Sequence, residues 1–147
     1  MAARTSPDWE EAAGVAAQAE ALRARVAPLA LADSEAYAEV LAALSSTGEG
    51  RSPDLAAALR RASELPLAIA EAAADTATLA AYTAGRCKAS VRGEALVAVA
   101  LAEAAARAGA RLVEINLAAA THDPHHERAR RALHEADAAL RQAAGDE

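Results

Sequence analysis

The chain has 147 residues and a formal charge of −6, with a pI near 5.2. One domain is expected at this length, and the acidic balance argues against nucleic acid or an anionic membrane surface as a partner, since both are bound by clustered Lys and Arg. Alanine fills 49 positions, Phe is absent, and Trp9, Tyr37 and Tyr82 are the whole aromatic complement, which favours helices over strands and predicts an all-α protein with a thin core. A core this poor in large side chains is marginal for a lone bundle, so burial in an oligomer is expected.

The first helix is predicted from Ser6-Pro7-Asp8 into WEEAAGVAAQAEALRARV, with Glu10 and Glu11 near the positive end of its dipole. Pro28 interrupts the apolar rhythm of Leu22, Val26 and Leu29, so a kink or short break is expected there. The helix resumes through EAYAEVLAAL, and residues 45–52, rich in Ser and Gly, form the main loop. Ser52-Pro53-Asp54 opens the next helix, which Pro66 should bend and Gly85 should end. GRCKASVRG is a polar connection, and a long helix runs from about Glu94 through INLAAA. Asp123-Pro124 starts the last helix, Asp as N-cap and Pro at the first position. Together these predict an antiparallel bundle of four or five long helices in one domain, 1–147.

Cys87 is the only cysteine, so no intrachain disulfide is possible and a reducing cytoplasm is expected. The N-terminus carries acid early and lacks an apolar core, unlike a signal peptide. The most apolar stretch is broken by Glu103, Arg107 and Arg111 and is too charged to span a membrane. His122-Asp123-Pro124-His125-His126 gathers ligand-type residues, yet no Cys or second carboxylate repeats a known spacing, and no metal is expected. Arg86 and Lys88 flank Cys87 without a partner base, which does not suggest a nucleophile.

Asp33 and Tyr37 stand one helical turn apart, on one face. Read from the residues alone, Asp33 is either a proton-transfer group or a solvated carboxylate after the Pro28 break. Tyr37 is either a ligand contact or an aromatic with its hydroxyl at the rim. Arg51 stands at a loop-to-helix junction, where a fork-shaped cation suits a carboxylate ligand and an ordinary solvated Arg is equally at home. Asn116, late in its helix, needs a hydrogen-bond partner wherever it is buried.

Three segments resemble the cyclodeaminase/cyclohydrolase family of all-α folate proteins. LALADSEAYAEVLAAL is similar to the family segment in which Asp precedes Phe or Tyr by four, which places Asp33 and Tyr37 on those positions. Arg51 with LAAALRRASELPLAIAE resembles the family's arginine followed by a helix carrying Pro-Leu before an acid, matched by Pro66, Leu67 and Glu71. ALVAVALAEAAARAGARLVEINL resembles the late family helix ending Ile-Asn-Leu, matched by Ile115, Asn116 and Leu117. Two features depart from the pattern. The introductory Gly-rich helix has no counterpart, so the chain begins at what would be the second helix. The Gly-Asn stretch leading to Ser-Asp is replaced by GRCKASVRGEAL, with Glu94 where the Asp would be.

The resemblance implies a one-carbon tetrahydrofolate as substrate, and a homodimer or homo-oligomer is expected. It implies hydrolysis of a methenyl bridge or deamination of a formimino group, with Asp33 as acid/base and Tyr37, Arg51, Glu94 and Asn116 on the substrate. The lost motifs leave a second expectation open: a non-catalytic helical dimer that binds a ligand or a protein.

Overall fold

The computed structural model describes residues 1–5, 8–45 and 51–145, without the side chains of residues 5, 30, 31, 33–36, 51 and 52. All regular structure among them is helical. Five α-helices follow a short N-terminal 3₁₀ turn: α1 Ala12–Val26, α2 Leu29–Ser45, α3 Arg51–Ala84, α4 Arg92–Asn116 and α5 Pro124–Gly145.

Helices α3, α4 and α5 pack on one another, antiparallel at each chain reversal. Their shared core is built from alanine. Ala132, Ala136, Ala139 and Ala143 of α5 recur every three or four residues and meet Ala70, Ala73, Ala74, Ala77 and Ala81 of α3 and Ala102 and Ala106 of α4, with Val99 the one large member buried among them. Small side chains let helix axes come close, so each contact contributes little while the backbones interlock.

Gly109 marks the closest approach. A Cβ there would lie 2.6 Å from the Pro66 carbonyl oxygen of α3 and 3.1 Å from the Ala70 Cβ, so only glycine fits. At the other end of the same contact, Leu67, Val113, Leu117 and Ala129 form a second, more conventional cluster.

Helices α1 and α2 form a broken ridge along α3. The break expected at Pro28 is present, between Val26 and Leu29. Trp9 and Val15 pack near Tyr82 and Leu79, Arg25 pairs with Asp75, and Val40 packs on Ala58 and Ala62. Ridge and α3 therefore run antiparallel.

Two local expectations need correction. α1 begins at Ala12, with no acid in its first turn, so Trp9, Glu10 and Glu11 precede it; Trp9 instead turns onto Tyr82, ring centroids 5.8 Å apart. Ser45 belongs to α2, its hydroxyl donating back to the Leu41 carbonyl at 2.9 Å, and Arg51 and Ser52 belong to α3. The rest of the loop expected over 45–52 lies outside the described residues. Across Pro66, α3 runs without a break.

That continuity has a source. Proline has no N–H to give the carbonyl four residues earlier, that of Ala62. Asn116 of α4 supplies the missing donor, its Nδ2 lying 3.1 Å from the Ala62 oxygen. No described helix is long and apolar enough to cross a membrane.

Candidate functional site

Because the ridge sits astride α3, a groove opens on each side of it. The groove toward α5 is charged. Arg25 pairs with Asp75 at 2.6 Å, Arg128 grips Glu71 through two contacts of 2.8 and 2.9 Å, and Arg131 and Glu135 complete the walls of a space of about 550 Å³. Leu29 at the start of α2 lines this groove, and Asp33 follows one turn later along the same helix. The Glu71 carboxylate, hydrogen-bonded to Arg128, raises the guanidinium's pKa above its ordinary value, which holds the positive charge in this groove.

The cleft toward α4 is apolar. Val15, Leu22, Val26, Leu79 and Ala95 line a space of about 740 Å³, with Glu94 on its rim. The hydroxyls of Thr76 and Thr83 face it from α3, but each donates back to its own helix, to Ala72 and Leu79 at 2.7 Å. Polar recognition in this cleft thus falls to the rim: Glu94, and Glu20 with its two partners Arg4 and Arg23, at 2.9 and 3.1 Å. An apolar slot of this size with a few polar groups at its mouth is the usual form of a small-molecule site.

The five residues singled out in sequence fall at separate places. Tyr37 is 62 % exposed on the outer side of α2. Asn116 is half-buried and already donates to Ala62. Its remaining oxygen is the atom available to a ligand. Both belong to the end where α2 meets the N-terminal half of α3, since Val40 and Asn116 both reach Ala62. Glu94 stands in the first turn of α4, and Asn116 closes its last, about 33 Å away along the axis. One chain does not bring these two together. The side chains of Asp33 and Arg51 lie outside the described residues, although their backbones are helical, in α2 and at the start of α3.

A buried constellation that sequence reasoning missed lies at the α3–α5 contact. Ser63 is fully buried, and its Oγ is 3.0 Å from His125 Nδ1, with Asp123 Oδ1 3.7 Å from the same nitrogen. The residue types are those of a hydrolase triad, but the wiring is not. A triad sets its serine and its acid on opposite ring nitrogens, whereas here both face Nδ1.

The Ser63 proton is also committed, to the Arg60 carbonyl at 2.6 Å, so the imidazole Nδ1–H donates to the hydroxyl. Asp123 caps α5, accepting from the His125 N–H at 2.9 Å, and also holds Arg60 Nε at 2.9 Å. That backbone hydrogen bond, followed by the charges of His125 and Arg60, keeps the Asp123 carboxyl below the ordinary aspartate range despite its burial. The network pins the start of α5 to α3. Its only trace in sequence is Asp123-Pro124, because the buried side of Ser63 cannot be read from an alanine-rich helix.

The remaining histidines disperse. His126 Nε2 reaches the Leu117 carbonyl at 3.3 Å, and His122 and His134 face solvent. Among the described residues no group of three His, Cys, Asp or Glu is placed to hold a metal ion.

Five close-packed helices with two flanking grooves make up a small all-α domain. Residues 3–136 match the model of the formiminotransferase-cyclodeaminase family, nearly the whole chain, and the protein belongs to that family. Comparison with curated proteins finds no match. The family is a folate-related one, in agreement with the resemblance carried by the Asp33, Pro66 and Asn116 segments.

Proposed function

We propose that the protein acts on a one-carbon tetrahydrofolate, hydrolysing a methenyl bridge or deaminating a formimino group, as a single cytoplasmic domain spanning residues 1–147. The observation that carries this reading is the family match over residues 3–136, which includes every segment bearing a candidate residue.

In this reading Asp33 moves the proton. Opening a methenyl bridge adds water to a cationic carbon, and loss of ammonia needs a proton on nitrogen; a carboxylate next to the reacting atoms serves either step. Tyr37 and the free oxygen of Asn116 hydrogen-bond the heterocycle, Arg51 holds the carboxylates of the glutamate tail through a two-pronged contact, and Glu94 takes the place of the family's loop aspartate. No metal takes part.

One observation favours a second reading, a non-catalytic relative that binds a ligand or a protein. The connection between α3 and α4 carries GRCKASVRGE in place of the family's Asn- and Asp-bearing stretch.

The test is titration of the purified protein with methenyl-tetrahydrofolate, following absorbance for turnover and heat for binding, with Asp33→Asn alongside. Turnover abolished by Asp33→Asn is the expected result. Binding without turnover selects the second reading. Neither signal at high protein concentration sinks the folate assignment for this chain.

A further inference from the structure

Helix α4 buries one side against α3 and α5 and leaves a straight apolar stripe on the other. Val97, Leu101, Leu112 and Ile115 are 59, 68, 47 and 55 % exposed, and Ala104 and Ala108 lie exposed between them. At 100° per residue these six positions fall within about 80° of arc over five turns. Each large member exposes on the order of 100 Å², so two copies of the stripe bring together about 800 Å² before alanines and flanking side chains are counted, close to the roughly 1,000 Å² that a specific interface needs.

The stripe is also nearly the same read in either direction. Turned end for end about residue 106, Val97 meets Ile115, Leu101 meets Leu112, and Ala104 meets Ala108. Large faces large at the ends, and small faces small at the centre, where two axes can come close. A parallel pairing would oppose each residue to itself and would leave Glu94 beside Glu94. The antiparallel pairing sets Glu94 against the other end of the partner helix.

Glu94 and Asn116 lie on the same edge of the stripe, about 40° and 80° from its mid-line. A twofold axis perpendicular to two antiparallel helices lays like edges side by side. Glu94 then projects opposite position 118 of the other copy, about 3 Å along the axis from Asn116. That edge is the one nearest the ridge: Glu94 rims the cleft between α1 and α4, and Asn116 reaches Ala62, on which α2 rests.

We propose that two copies of the chain pair antiparallel through α4, and that each ligand site is completed across the seam, Asn116 and the α2 end of one copy being joined by the partner's Glu94. Each dimer then carries two sites, and in each the partner's carboxylate meets the amino donors of a flat heterocycle whose other edge faces Asn116. The choice of heterocycle rests on the folate reading above; the seam and the meeting of Glu94 with Asn116 do not.

The pairing has a direct readout, because Asn116 is the only asparagine in the chain, so nitrogen-15 supplied as asparagine alone marks one side-chain amide and leaves those of Gln18 and Gln142 dark. Protein carrying Cys87→Ser and Glu94→Cys is spin-labelled at position 94 and mixed, without folate, with asparagine-labelled (nitrogen-15) protein bearing the native Glu94. Within one copy the label and Asn116 are about 33 Å apart, so strong loss of the Asn116 signal reports the partner's label alone.

The expected result is a dimer by sedimentation, near-complete loss of the Asn116 amide signal in the mixture, and recovery of that signal when the labelled copy also carries Leu101→Glu. Leu101 is exposed, so this change leaves the helical circular dichroism intact. A monomer at high concentration overturns the proposal. So does a dimer whose Asn116 signal survives the label, and so does signal loss that persists with Leu101→Glu. A broadened Asn116 signal in a protein that binds no folate keeps the seam and refutes only the folate reading.

Discussion

Asn116 and Pro66, on different helices, are joined through one carbonyl. Pro66 leaves the Ala62 oxygen without its intrahelical donor, and the Asn116 amide, 3.1 Å away, replaces it. Removal of the amide leaves a half-buried acceptor unsatisfied, which costs about 1–3 kcal/mol. Asn116→Ala is therefore expected to lower stability by that amount in urea unfolding. In a Pro66→Ala background residue 66 regains its N–H and serves the Ala62 oxygen itself, so the same Asn116→Ala change should cost less than half as much. Equal costs in the two backgrounds would show that the bond is incidental.

Gly109 and Gly14 predict opposite signs for the same substitution. Both are helix-interior glycines, where alanine is favoured by about 0.5–1 kcal/mol in the absence of contacts. A methyl at 14 meets open space, whereas a methyl at 109 runs into backbone of α3, the Pro66 oxygen at 2.6 Å. Backbone cannot rotate away, so α3 and α4 must separate and the alanine core between them loosens. Gly14→Ala should raise the melting temperature by a few degrees. Gly109→Ala should lower it, by an amount corresponding to about 1–3 kcal/mol or more.

Asp123 links stability to pH. Its folded pKa lies below the unfolded value, chiefly through the His125 N–H and then through the charges of His125 and Arg60. A depressed carboxylate adds stability above its unfolded pKa of about 3.8, and that stability is lost as pH falls through the folded value. Denaturation followed between neutral pH and acid should show a fall confined to the range below about 4. Asp123→Asn keeps an acceptor for the cap and loses the charge, so its curve should be flatter there; Asp123→Ala should cost about 1 kcal/mol even at pH 7. An unchanged acid limb in Asp123→Asn would remove this carboxylate from the explanation.

These three relationships also mark how far the sequence could be read. The Pro28 break and the Asp123 cap were legible because proline and N-cap residues act locally, on the backbone of their own turn. The all-α class followed from composition for the same reason. Pro66 was legible as a perturbation, but its remedy lies fifty residues away in Asn116, and nothing within α3 announces it. The family-like Pro66 and Asn116 thus turn out to hold each other, and Leu67 and Leu117, also matched, share one core cluster. Part of what looked like a site motif is framework. Conversely, alanine helices show weak periodicity, so the burial of Ser63 and the openness of the α4 stripe could not be told from spacing alone.

Ser63 and Asp33 can be separated by experiment. If Ser63 were a nucleophile, its loss would abolish any turnover while leaving the fold nearly untouched. The geometry argues the reverse: the hydroxyl is enclosed, its proton is held by Arg60, and it serves as acceptor for His125. Ser63→Ala leaves a buried imidazole N–H without its acceptor, at a cost of about 1–3 kcal/mol, or several degrees in melting temperature at this chain length. Binding of methenyl-tetrahydrofolate, measured well below that temperature, should match the unsubstituted protein. Asp33→Asn should do the opposite, sparing the melting temperature and removing turnover. A Ser63→Ala protein that melts normally but has lost turnover would reinstate the triad and displace Asp33 from the mechanism.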